Sequence, residues 1–118
     1  MGRLENRENI RYGAQADNSI ENIAAYELDN YLARNKERCV LIDVRDKMKY
    51  EKQHIGGAIN IPYRDIQAGE FDISNSKIIV LYCDRGGLSM AAARYLSKQG
   101  YNVKNVVGGL KNYLAGKK

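Results

Sequence analysis

Cys83 stands where an apolar, mostly β-branched run, Ile78-Ile79-Val80-Leu81, gives way to a turn, in the order Tyr82-Cys83-Asp84-Arg85-Gly86-Gly87-Leu88-Ser89. A helix-like pattern over residues 88–99 leaves the turn on its far side. A thiol delivered into a strand-to-helix turn sits where an anion would sit. Backbone N–H groups of the turn and the positive end of the helix converge on the sulfur, favouring thiolate over thiol and stabilising any anion joined to it. That is an arrangement for sulfur or phosphate chemistry. Cysteine at the end of an apolar strand is often a core residue instead, but Asp84-Arg85-Gly86-Gly87 directly after it is turn chemistry.

The rest of the composition narrows the field. The chain has 118 residues, 44% of them hydrophobic, which suits one domain with a core of its own. Its apolar runs are as short as strands, far below the ~20 residues that cross a bilayer, and residues 1–18 hold no apolar signal stretch. Asn6 stands where a myristoylation signal after Met1-Gly2 has Ser or Thr. No membrane association is expected, and a cytoplasmic protein is. Two cysteines, Cys39 and Cys83, are too few for a disulfide framework and fit a reducing compartment. With one histidine, His54, and no cysteine cluster, no metal is expected, and covalent chemistry at a cysteine needs no redox cofactor.

The net charge of +5 is unevenly placed. From residue 77 onward eight basic residues face one acid, Asp84, so the third of the chain that carries Cys83 is the positive one. Such a field draws a small anion or an acidic protein surface toward the turn. The lysines are scattered and accompany no recognised nucleic-acid motif, so nucleic acid is not expected as a partner.

These residues need a scaffold. Residues 1–18 are polar and of mixed charge and read as an extension, leaving 19–118 as the folded domain. Strands are expected at 20–23, on a sheet edge, and at 39–44, 58–61, 77–82 and 103–107. Helices are expected around Leu28, Tyr31 and Leu32 and at 47–52, 63–67, 88–99 and 110–114, with Gly100 ending the fourth. This alternation implies an α/β domain, a mostly parallel central sheet with helices on both faces. Ligands of such sheets bind beyond the carboxyl ends of the strands. Cys83 and Asp43-Val44-Arg45 both fall there and can share one site.

Four segments together resemble the rhodanese homology domain. Leu41-Ile42-Asp43-Val44-Arg45 is similar to its first strand motif, and Tyr50-Glu51-Lys52-Gln53-His54-Ile55-Gly56-Gly57-Ala58-Ile59-Asn60-Ile61-Pro62 to its second. Cys83-Asp84-Arg85-Gly86-Gly87-Leu88 is similar to its active-site loop, and Val107-Gly108-Gly109-Leu110 to its closing turn. Order and spacing agree across roughly residues 20–115. The resemblance implies a single-domain sulfurtransferase in which Cys83 takes a sulfane sulfur from a donor such as thiosulfate, becomes a persulfide, and passes the outer sulfur to a thiophilic acceptor. The implied partner is a small anionic sulfur donor or a persulfide-carrying protein. Related phosphatases and arsenate-handling enzymes have an arginine six positions after the cysteine, where this chain has Ser89, so the shorter loop resembles the sulfurtransferase version. The other alternative is a catalytically silent rhodanese-like module that binds a protein.

Within that frame Cys83 is the catalytic residue, and Asp84, Arg85, Gly86, Gly87 and Leu88 form the substrate-binding loop, with Asp43, Arg45 and Ser89 as support. Asp43 is expected to accept N–H bonds and hold the loop, and Arg45 to pair with an acid such as Glu51. Arg85 is the side chain expected to meet an anionic substrate. Gly86 and Gly87 are expected to take backbone angles closed to other residues, and Gly108-Gly109 to make a tight exit from the last strand. His54 reads as a turn support. Cys39 reads as structural, since four residues of strand put it roughly 13 Å from the site end. The chain departs from the pattern at Leu88, where an arginine is frequent, at Gln53, often Gly, and at Lys49, where an acid is common.

Overall fold

Five strands form from the apolar runs, and in the computed structural model, which describes residues 20–117, they pair in one sheet. The extension expected at 1–18 lies outside the described residues. The strands are β1 (Glu21–Ala24), β2 (Cys39–Asp43), β3 (Ile59–Asn60), β4 (Ile78–Tyr82) and β5 (Asn102–Val107), in the spatial order β1-β5-β4-β2-β3. Every pairing is parallel. The helices are α1 (Leu28–Arg34), preceded by a 3₁₀ turn at Ala25–Glu27, α2 (Lys47–Lys52), α3 (Tyr63–Ala68), α4 (Gly87–Lys98) and α5 (Gly109–Ala115).

Alternation along β4 explains both layers. Ile79, Leu81 and Cys83 join a core with Ile66 of α3 and Ala92, Ala93 and Leu96 of α4. Val80 and Tyr82 join a second core with Leu28 of α1 and Leu110 of α5. A strand whose neighbouring side chains enter opposite cores is buried on both faces, which is why its sequence is continuously apolar rather than alternating. The α/β domain with a parallel sheet and helices on both faces is therefore as expected, and β1 lies at an edge, also as expected.

Boundaries differ by a residue or two. The strand expected at 58–61 is confined to Ile59–Asn60, and at its start the Ala58 N–H is taken by the turn carbonyl of Ile55 at 3.0 Å. Helix α4 closes as expected: Gly100 has φ +95°, its N–H bonds the Ser97 carbonyl, and the Tyr101 N–H bonds that of Leu96. This pair of bonds is the Schellman arrangement, satisfying two carbonyls the helix leaves open.

Candidate functional site

Strand β4 lies between β5 and β2, so its carboxyl end opens at the middle of the sheet, beside the end of β2. Asp43 is in register with Tyr82, which places Cys83 one residue beyond the ladder. Its side chain is 4% exposed and belongs to the core on the α4 side, deeper than the turn chemistry around it suggests. The sulfur nonetheless lines a cleft of about 350 Å³ together with Arg45, Lys49, Asp84, Arg85 and Leu88. A cleft of about 400 Å³ beside β1 and α1, lined by Tyr26, Asn30, Arg34 and Lys104 among others, has no cysteine in its lining.

Two backbone donors point at the sulfur: the Gly86 N–H at 3.1 Å and the Ser89 N–H, in the first turn of α4, at 3.3 Å. The turn that aims them depends on Gly86 at φ +111°, in the left-handed region that a Cβ disfavours. Gly87, expected to do the same, has no positive φ and open space where a Cβ would stand, so only Gly86 meets that expectation. Ser89 is fully buried. Its hydroxyl accepts the Cys83 S–H at 3.4 Å and donates to Asn105 Oδ1 at 2.6 Å and, less closely, to the Gly86 carbonyl at 3.2 Å. One hydroxyl proton cannot serve both acceptors fully, and the shorter bond to Asn105 sets its direction.

The loop is held from two sides. From β5, Gly108 and Gly109 both take positive φ and turn the start of α5 against the loop. The Leu110 N–H then bonds the Cys83 carbonyl at 2.8 Å, and the Lys111 N–H bonds that of Asp84 at 3.0 Å. The tight exit expected of the glycine pair is present, and it fixes the cysteine loop as well. Drawing those carbonyls toward α5 keeps carbonyl oxygens off the sulfur, where they would repel a negative charge.

From β2, the restraint runs through Arg45. Asp43, with no exposure, accepts the Arg45 backbone N–H at 2.9 Å and its guanidinium at 2.8–3.1 Å. Arg45 continues to Asp84 Oδ1 at 3.1 Å and to the Gln53 carbonyl at 2.6 Å. Two expectations are corrected here. Asp43 does not itself bond the loop but orients the arginine that does. Arg45 pairs with Asp43 and Asp84 rather than Glu51, because its side chain folds back over the strand end while exposed Glu51 faces Lys47 one turn earlier on α2, at 3.9 Å. The ion pair with Asp43 holds the Arg45 guanidinium above its ordinary value.

Asp84 takes a second cation as well. Lys49, on α2, reaches its Oδ2 at 2.6 Å. Lys49 foremost, with Arg45, holds the Asp84 carboxyl below the usual carboxylate range, and Asp84 in turn raises Lys49. Arg85 is exposed on the cleft and has no ion-pair partner among the described residues. Leu88, 41% exposed, closes the loop's outer end. His54 stacks on Tyr50 with ring centroids 3.8 Å apart, its Nδ1 facing the Tyr50 carbonyl, and does not line the cleft. Cys39 begins β2, four register steps below Asp43, and is half-buried and free.

Sequence reasoning missed Asn105 and Gly109 as parts of the site and saw Lys49 only as a departure. A signal for Asn105 was present: a polar residue between Val103 and Val106 in a buried strand needs a partner.

The Rhodanese-like domain family matches residues 24–115 of the chain. A probable molybdopterin-synthase adenylyltransferase of Porphyra purpurea is 34% identical over 96 residues, 80% of this chain, and the chain spans only a quarter (25%) of that relative's length. A thiosulfate sulfurtransferase, GlpE, of Coxiella burnetii is 30% identical over 97 residues, 81% of this chain and 86% of its own length. The crystal structure of a rhodanese-related protein from Thermoplasma volcanium superposes with a TM-score of 0.70 at 26% identity, covering 81% of this chain and 92% of the other.

Proposed function

The chain belongs to the rhodanese-like domain family, and on that premise we propose that it is a sulfurtransferase with Cys83 as the sulfur carrier. Relatives named thiosulfate sulfurtransferase, tRNA sulfurtransferase and sulfur carrier protein support sulfur transfer as the general activity. The observation that carries the specific reading is the pair of N–H groups, from Gly86 and Ser89, directed at a sulfur that also lines an open cleft. A cysteine held merely for packing has no use for either.

The thiolate of Cys83 attacks the outer sulfur of a donor. A new S–S bond forms, and the bond between that sulfur and its carrier breaks with its electron pair leaving on the carrier, as sulfite from thiosulfate or as a thiolate from a persulfide. The Cys83 persulfide ends in an anionic sulfur within reach of the same loop donors. A thiophilic acceptor such as cyanide or a thiolate then attacks the outer sulfur, and the electron pair of the broken S–S bond returns to Cys83. No net oxidant or reductant is consumed. A reducing, cytoplasmic setting suits a thiol that must stay free.

Intact mass after incubation with a sulfur donor is the test. One added sulfur is expected on the wild type and on Cys39→Ser, and none on Cys83→Ser. A wild-type chain that gains no sulfur from any donor is a binding module instead.

A further inference from the structure

Three cations line the cleft, and two of them are already spoken for. Arg45 is bonded to buried Asp43 and again to Asp84, and Lys49 is bonded to Asp84. Asp46 also lines the cleft. A dianionic donor therefore meets one cation with no ion pair among the described residues, Arg85, and the carboxylate of Asp84 directly beside the nucleophile in sequence. Thiosulfate attack makes the mismatch worst: the thiolate brings one negative charge and the donor two, all three remaining on the Cys83 persulfide and the departing sulfite. A carboxylate on the same cleft raises the energy of that triply charged assembly more than that of the doubly charged one formed with a persulfide whose carrier is uncharged. Asp84 is held ionised at neutral pH by Lys49 and Arg45.

We propose that Asp84 is a specificity-determining residue that disfavours dianionic sulfur donors and favours thiol-borne persulfides, R–S–S⁻, which carry one charge. Attack on such a donor by the Cys83 thiolate forms the new S–S bond to the outer sulfur and releases R–S⁻ with the electron pair of the broken one, leaving the Cys83 persulfide anion. The site carries two negative charges throughout, against three with thiosulfate. The exposed side chain of Leu88 offers an apolar contact to the carrier R where an arginine would offer charge. This inference rests on the sulfurtransferase reading above.

The test compares kcat/KM for thiosulfate with kcat/KM for a singly charged persulfide on an uncharged carrier, that of N-acetylcysteine methyl ester, in two variants of opposite effect. Asp84→Asn frees Lys49 and the Nη1 of Arg45, which stays paired with Asp43, and should raise the thiosulfate-to-persulfide ratio by about tenfold, ~1.4 kcal/mol of differential transition-state stabilisation. Lys49→Gln leaves Asp84 with less counter-charge and should lower the ratio. Both shifts should shrink as ionic strength rises, because the groups are exposed to solvent screening, whereas a purely structural clamp would show no such dependence. The proposal is overturned if Asp84→Asn lowers both rates alike, or if the ratio moves the same way in both variants. If Asp84→Asn does not fold, the direction of the Lys49→Gln shift decides alone. Failure of the wild type to take sulfur from either donor overturns the sulfurtransferase reading itself, a separate and distinguishable result.

Discussion

The α-carbon of Gly109 lies so close to the Cys83 carbonyl that a Cβ built on it would stand 2.3 Å from that oxygen, and 2.8 Å from the Asp84 carbonyl. The close approach lets the first N–H groups of α5 reach the cysteine loop. Side chains at the top of the sheet therefore depend on a backbone contact between β4 and β5 exits, 26 residues apart in sequence.

Gly109→Ala should consequently do two things at once. Its φ of +60° already disfavours a side chain by about 1–2 kcal/mol, and the collision with the loop carbonyls adds to that. Gly57→Ala is the control, with φ +88° but open space around the new methyl. Urea denaturation should show a larger stability loss at 109 than at 57. Sulfur loading of Cys83, followed by mass under folding conditions, should fall only in Gly109→Ala. Equal losses at both positions would mean the close approach is slack.

Removing the Arg45 side chain leaves Asp43 as a fully buried carboxylate without its guanidinium. An uncompensated buried charge costs about 3–5 kcal/mol, so Arg45→Ala should be among the most destabilising changes in the domain. The double variant Asp43→Asn with Arg45→Met removes both charges and should recover part of that loss. Chemical denaturation of the three proteins checks this. A double variant no better than Arg45→Ala would mean the hydrogen bonds to Gln53 and Asp84, rather than the charge on Asp43, dominate.

Much of this arrangement was legible beforehand, and the exceptions share a cause. Buried strands announce themselves by continuous apolar runs, and α2 was placed residue for residue at Lys47–Lys52. The cysteine loop was recognisable because its turn residues interrupt that pattern. Which charges pair was not legible. Asp43, Arg45, Lys49 and Asp84 come from β2, α2 and the β4 exit, and a chain read linearly offers Arg45 the nearby Glu51 instead. Nor does a Gly-Gly pair say what backbone it will touch. Long-range pairing depends on strand order, and the position of β4 beside both β2 and β5 is a property of the sheet.

Acid should weaken the fold through two exposed carboxylates. Asp84 is held low chiefly by Lys49, and Asp29 chiefly by Lys117 with the Tyr113 hydroxyl. A carboxyl group depressed in the folded chain binds its proton more readily when unfolded. Its contribution is therefore complete above the unfolded value, about 3.9, and is lost as pH falls through the folded one. Urea midpoints measured from pH 7 to pH 3 should be nearly flat down to about 5 and then decline. Asp29→Asn should flatten the decline without touching the cleft, while an unchanged acid limb would show that Asp29 is too well solvated to matter.

Leu88 occupies the loop's outer end, 41% exposed on the cleft, where a longer cationic side chain has solvent-facing room. Leu88→Arg should raise kcat/KM for thiosulfate by on the order of tenfold if the new charge contributes ~1.4 kcal/mol to the transition state. The singly charged persulfide should gain less, since donor and leaving group give the guanidinium less charge to meet. Arg85→Ala should move the other way, losing thiosulfate turnover with little loss of stability, because an exposed arginine with no ion pair among the described residues contributes little to folding. Steady-state kinetics of both variants with both donors, alongside their urea midpoints, separates charge from packing. If Leu88→Arg harms both donors alike and lowers the midpoint, Leu88 serves the fold through its apolar contacts, and the charge at the loop's end has no part in donor choice.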